Sequence, residues 1–152
     1  MKGPVDMDKF TKGCVWGAFS VTVLVIVTCL VIKSLDRRNQ SRYETTAMGL
    51  NYLQKQLYCY ALDYGCMPDL SFVDCIEQLR ESGYLADAQH YQVVLNAKDA
   101  WGRSLIYDRV NEYKVVIRSI GANGIDDQGG SDDIQRTIVT PIAFRIHGSG
   151  AP

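Results

Sequence analysis

Excess positive charge is missing from this chain: 16 Lys and Arg stand against 17 Asp and Glu, for a formal net charge of −1. That balance excludes the strongly basic face that a general nucleic-acid binder presents to phosphate, so no nucleic-acid partner is expected. Histidine is scarce too. His90 and His147 stand alone, neither of them near a Ser or Cys in a recognised nucleophilic arrangement. There is no Gly-rich phosphate cradle, no Cys-x-x-Cys pair and no His/Cys zinc spacing. Without a catalytic constellation, an enzyme is not expected. Internal repeats and low-complexity tracts are also absent, and 152 residues bound one domain with a modest core.

Charge is absent altogether from Gly13 to Ile32, where the only polar side chains are Ser20, Thr22, Thr28 and the thiols Cys14 and Cys29. Twenty helical residues at about 1.5 Å each match the roughly 30 Å hydrocarbon core of a bilayer. Lipid forces a spanning segment to satisfy its backbone internally, so the Val, Ile and Thr content does not count against a helix. The stretch is expected to be a single-pass membrane anchor, with the membrane itself as a partner. A cleaved signal peptide fits less well, because Leu30-Val31-Ile32-Lys33 closes the run without a small-x-small site. Lys2, Lys9 and Lys12 precede the run and Lys33, Arg37, Arg38 and Arg42 follow it, so flanking charge leaves the orientation open.

Residues 1–12 read as a short leader, 13–32 as the span, 33–65 as the same helix continuing beyond the membrane, and 66–152 as a globular domain. No Pro or Gly interrupts the chain from Ala18 to Met48, and Leu50, Leu53, Leu57, Tyr60, Ala61 and Tyr64 form a helical apolar stripe. Gly65 and Pro68 mark its end. A short second helix is expected over Asp69–Ser82, with Phe72, Cys75, Ile76 and Leu79 inward and Gly83 as its stop. Val93-Val94-Leu95 reads as a short strand. Strands are expected over Arg103–Asp108 and Tyr113–Ser119, with a turn at Arg109–Glu112, and a third over Arg136–Ile146 broken by Pro141. Gly148 to Pro152 reads as a frayed tail. Trp101 reads as a core anchor. The class is α+β, with a long helix packed on a small antiparallel sheet. Cys59, Cys66 and Cys75 allow at most one intramolecular bridge. Cys66–Cys75, Cys59 with either of them, and buried free thiols all remain open.

The stretch Ser119–Ile134 holds four Asp and four Gly and no Lys or Arg. Like charges this close repel, and Asp, Asn and backbone carbonyls are the oxygen ligands that calcium takes. A solvated acidic surface loop is the competing reading. An EF-hand is excluded, since the alternating ligands, central Gly and closing Glu are absent.

Several motifs carry a likeness. Leu57 to Pro68 looks like a family helix end in which a Tyr and an Asp-Asn-Gly turn lead to Pro. Gly83-Tyr84-Leu85 follows the second helix, Asp99-Ala100-Trp101-Gly102 precedes Tyr107, and Ser119 to Gly124 is followed by Gly129-Gly130 and Asp132-Asp133-Ile134. In this order, over roughly residues 40–134, the chain resembles the G-type major pseudopilins of type II secretion systems, within the type IV pilin-like proteins. The resemblance implies a structural, fibre-forming subunit of a secretion apparatus. Its partners would be other pseudopilin copies and the secretion machinery. It would sit in the inner (cytoplasmic) membrane with its C-terminal domain exported to the periplasm, and its C-terminal loop would bind calcium. Carried over by position, the ligands fall on the Ile120 carbonyl and the side chains of Asn123, Asp132 and Asp133. Asn123 replaces the family's usual Asp, and a two-residue insertion brings in Asp126 and Asp127, either of which can restore the charge. At the N-terminus the family's prepilin-peptidase Gly precedes Phe-Thr-Leu-Ile-Glu, whereas here Gly13 is followed by Cys14-Val15-Trp16-Gly17-Ala18. That departure keeps a second reading open: an uncleaved, membrane-tethered, monomeric binding domain that uses the pseudopilin fold without forming a fibre.

Overall fold

In the computed structural model, the backbone is described for residues 7–140 and the side chains for residues 20–140. The first six residues of the leader and the tail lie outside the described residues, and residues 7–12 of the leader belong to the first helix. Helix α1 (Met7–Tyr64) is followed by α2 (Phe72–Glu81), a 3₁₀ turn at Ala88–His90, a helical turn α3 (Gln92–Leu95), and strands β1 (Ile106–Asn111), β2 (Lys114–Ser119) and β3 (Ile134–Val139). The chain divides into two compact units, Met1–Asn39 and Gln40–Pro152.

In the first unit, Val21, Leu24, Val25, Ile26, Leu30 and Ile32 are all exposed, although they point to every side of the helix. No helix among the described residues is long and apolar enough to cross a membrane. The expected span begins at Gly13, and the side chains of residues 13–19 fall outside the described set.

In the second unit the apolar stripe of α1 becomes the core. Leu50, Leu53, Leu57 and Ala61 are fully buried and Tyr60 nearly so. Tyr64 departs from the expected stripe. It is exposed and stacks on Tyr60, with ring centroids 4.3 Å apart. Gly65 takes a positive φ of 76° immediately after the helix, where a left-handed residue costs Gly nothing. Helix α2 starts later than expected, at a cap in which Ser71 Oγ accepts from the Asp74 N–H. It stops at Gly83 through paired bonds from Gly83 N–H to Arg80 O (3.0 Å) and Tyr84 N–H to Leu79 O (2.9 Å).

The sheet has the order β1-β2-β3 and is antiparallel throughout. The strand boundaries differ from the sequence expectation, and β1 starts at Ile106 instead of Arg103. Strand β1 runs through Arg109–Asn111 with a register shift, and the hairpin turns at Glu112–Tyr113, where Asn111 Oδ1 accepts the Tyr113 N–H (2.9 Å). Strand β3 lies at Ile134–Val139, earlier than expected, and residues from Pro141 onward lie outside the described set. The expected strand at Val93–Leu95 is instead the helical turn α3. Its β-branched residues are decided by packing rather than propensity. Val93 is buried so closely against Gly49 of α1 that a Cβ there would lie 2.8 Å from the Val93 Cβ.

Candidate functional site: the acidic β2–β3 loop

The loop between Ser119 and Ile134 leaves β2 and enters β3 at directly paired residues, so the sheet register pins both of its ends. Beneath it lies a tight turn bracketed by the bridge between Lys98 and Ser104. Asp99, only 5 % exposed, organises that turn. Its Oδ1 accepts from the N–H groups of Trp101 (3.0 Å) and Arg103 (2.8 Å), and its Oδ2 accepts from the Ser119 hydroxyl (2.7 Å). The Ala100 N–H donates to buried Thr46 Oγ1 on α1 (3.0 Å), fixing the turn to the helix. Trp101 packs partly buried against the core, as an anchor should.

From this base two connections rise into the loop. Ser119 Oγ accepts from the Gly121 N–H (3.2 Å). The Arg103 guanidinium donates to the carbonyls of Gly121 and Ala122. Gly121 has φ +58°, and a Cβ there would run into the backbone carbonyl and carboxylate of Asp132. The loop can close this tightly only because position 121 lacks a side chain.

The carboxylates then divide into two groups. Asp126 is held by Arg118, which donates through Nε to Oδ1 and through its terminal nitrogen to Oδ2, both at 2.9 Å. This fork holds the Asp126 carboxyl below the usual carboxylate range and the Arg118 guanidinium above its own. Asp127, Asp132 and Asp133 converge instead, each offering a carboxylate oxygen within 4.8 Å of the others. Asp132 Oδ2 accepts the Asn123 N–H (2.8 Å), and Asp133 Oδ2 accepts the N–H groups of Asp127 (2.8 Å) and Gly129 (3.0 Å). The second oxygen of each, Asp132 Oδ1 and Asp133 Oδ1, is buried and has no hydrogen-bond partner among the described residues. Asn123 is part of the same knot: its Nδ2 donates to Asp127 Oδ2 (3.3 Å) and its Oδ1 accepts the Ile125 N–H (2.7 Å). The Ile120 carbonyl accepts the Gly124 N–H (3.2 Å) and retains a second lone pair.

Of the residues singled out from sequence, Asn123, Asp127, Asp132 and Asp133 are therefore drawn together, while Asp126 faces Arg118. Sequence reading quoted Asp99 and Ser119 only as motif residues and missed Arg103 and Arg118. Their signal was faint but present: a loop without basic residues needs cations from the strands beside it, and Arg118 directly precedes it. Away from the loop, Cys59, Cys66 and Cys75 are free thiols, and no bridge joins Cys66 to Cys75. Burial pushes the Cys75 thiol up to about 11. His90 is exposed.

A long N-terminal helix, a second short helix and a three-stranded antiparallel sheet whose last two strands are joined by an acidic loop define an α+β protein of pilin-like build. Residues 33–140 match the family described as "Type II secretion system (T2SS), protein G". The chain belongs to that family, whose members are the structural major pseudopilins of the apparatus and not enzymes. The family implies assembly with other pseudopilins and with the secretion machinery. Searches of curated proteins and of solved structures return no match.

Proposed function

We propose that the chain is a membrane-anchored pseudopilin subunit whose β2–β3 loop is stabilised by a bound calcium ion. The observation that carries the calcium reading is the pair of buried, unpartnered oxygens Asp132 Oδ1 and Asp133 Oδ1, within a cluster of three carboxylates. A buried carboxylate oxygen without a donor is costly, and three converging negative charges add repulsion. An oxygen-seeking divalent cation relieves both. The Ile120 carbonyl and the side chains of Asn123, Asp127, Asp132 and Asp133 would hold it, and Asp126 is already neutralised by Arg118. The ion would supply charge and rigidity to a subunit's structure and would not activate a substrate.

The anchor reading rests on the uncharged run 13–32 and on the exposed apolar side chains that continue it through Leu35. It puts the subunit in the inner membrane, with the Gln40–Pro152 unit on the periplasmic side and other pseudopilin copies as neighbours. Ala18 in place of the family's Glu favours the alternative of an uncleaved monomer. Intact mass of the membrane-extracted protein separates the two, since loss of residues 1–13 marks the processed, fibre-forming subunit.

The calcium reading is tested by melting the full chain in detergent with calcium and then with a chelator. At a hundredfold excess over the dissociation constant, a ligand specific for the native state adds about 2.7 kcal/mol. Asp133→Asn should keep the chelated melting point within a few degrees of the parent protein and abolish the calcium response. Equal melting points for the parent protein with calcium and with chelator would refute the reading.

A further inference from the structure

The route from Asp99 to the loop ends at one peptide group. Ser119 Oγ, on a residue with no exposed surface, takes its position by donating to Asp99 Oδ2 and then accepts the Gly121 N–H. That N–H and the Ile120 carbonyl belong to the same planar, trans peptide. Fixing the direction of the one fixes the direction of the other. We infer that Ser119, held by Asp99, is a positioning residue that aims the Ile120 carbonyl into the acidic cluster. This inference rests on the calcium reading and adds to it the group that sets one ligand's orientation.

The arrangement has the features of an outer-shell support. Asp99 is only 5 % exposed and has every near bond accounted for: two backbone N–H groups on Oδ1 and the hydroxyl on Oδ2. The hydroxyl has one proton, committed to Asp99, so toward Gly121 it can act only as an acceptor. The peptide cannot flip without losing that acceptor. Gly121 also abuts Asp132, so a rotated peptide would disturb a second carboxylate of the cluster. Arg103 reinforces the same place from the other side, through the Gly121 and Ala122 carbonyls. Its charge would itself alter cation affinity, which makes Ser119 the cleaner position to test.

The experiment is calorimetric titration of the full chain in detergent with calcium chloride, using Ser119→Ala and Ser119→Cys. Neither substitution changes charge, and the second keeps a heavy atom at the γ position while leaving only a weak acceptor. Outer-shell supports typically contribute 10–100-fold to metal affinity, and Ser119→Ala is expected to weaken the dissociation constant by about tenfold. Ser119→Cys should shift it in the same direction. Amide exchange in chelator supplies a readout independent of metal: the Gly121 N–H should exchange faster in both variants. A lower chelated melting point with an unchanged dissociation constant in both variants would mean a merely structural serine and overturn the inference. Unchanged Gly121 exchange would overturn it as well. If the parent chain takes up no calcium, the calcium reading itself fails and the inference falls with it, a result told apart by the exchange data.

Discussion

Asp99 and the pair Asp132–Asp133 lie at the two ends of one hydrogen-bond network and face opposite situations. Asp99 is almost wholly buried, yet both its oxygens have protein donors within 3.0 Å. Asp132 and Asp133 are half-buried, and each leaves one oxygen inside the loop with no donor. A buried carboxylate is tolerable when N–H and O–H groups replace water, and costly when they do not. The turn at Asp99 is thus complete in itself, whereas the loop above it leaves two carboxylate oxygens without a donor among the described residues. The Asp99 turn is in addition fixed to α1 by Thr46, through a bond that involves no residue of the loop.

The largest effect should come from breaking the self-sufficient end. Asp99→Ala removes the acceptor for two backbone N–H groups and a hydroxyl, all in a place water does not reach readily. At about 1 kcal/mol per lost bond the expected cost is roughly 3 kcal/mol, or on the order of 10 °C in melting point for a domain of this size. The cost should be larger in calcium than in chelator, because loss of Asp99 also frees Ser119 and with it the Ile120 carbonyl. A change under 1 °C in chelator would show that Asp99 does not organise the turn.

Gly121→Ala comes next. A side chain there requires a left-handed residue other than Gly, which costs about 1–2 kcal/mol, and it also pushes on Asp132. The loop lies at the surface and can give, so the melting point in chelator should fall by only a few degrees. The calcium response should fall much further, because Asp132 moves with the displaced peptide. If stability and calcium response dropped in proportion, the distinction between a closed base and an open loop would not hold.

Much of this architecture is legible in the sequence where one short-range rule acts alone. The ends of α1 and α2 follow from Gly65 and Gly83, because a left-handed residue after a helix favours glycine. The core face of α1 follows from the spacing Leu50, Leu53, Leu57 and Ala61. Where two rules compete, the reading fails. Val93-Val94-Leu95 has strand propensity, but the pocket against Gly49 sets it as a helical turn. Arg109–Glu112 looks like a turn by polarity, yet Asn111 lets the strand continue and tightens the turn to Glu112–Tyr113. In the loop, composition is enough to flag the acidic cluster. The separation of Asp126 from Asp127 is not legible there, since adjacent aspartates are told apart only by the strand register that brings Arg118 beside the first.

A fourth aspartate sharpens the comparison, and its expected effect is the smallest. Asp63 at the end of α1 takes its donor from a group that itself titrates, the Tyr84 hydroxyl. That bond is the main reason, with burial second, that the Tyr84 phenol is pushed up to about 12 from the ordinary 10.0. Because the folded state holds the phenolic proton more tightly than the unfolded chain, the stabilisation is fully present below pH 10.0 and is lost as the pH rises toward about 12. Tyr84→Phe should therefore lower the melting point slightly at neutral pH, and the gap from the parent protein should close across that alkaline window. Ionisable groups shared by both proteins cancel in the difference, so the measurement isolates this one pair. Unlike Asp132 and Asp133, Asp63 should show no dependence on calcium. A Tyr84→Phe gap that widened with rising pH would mean the phenolate is favoured in the fold, opposite to a carboxylate that needs the proton as its donor.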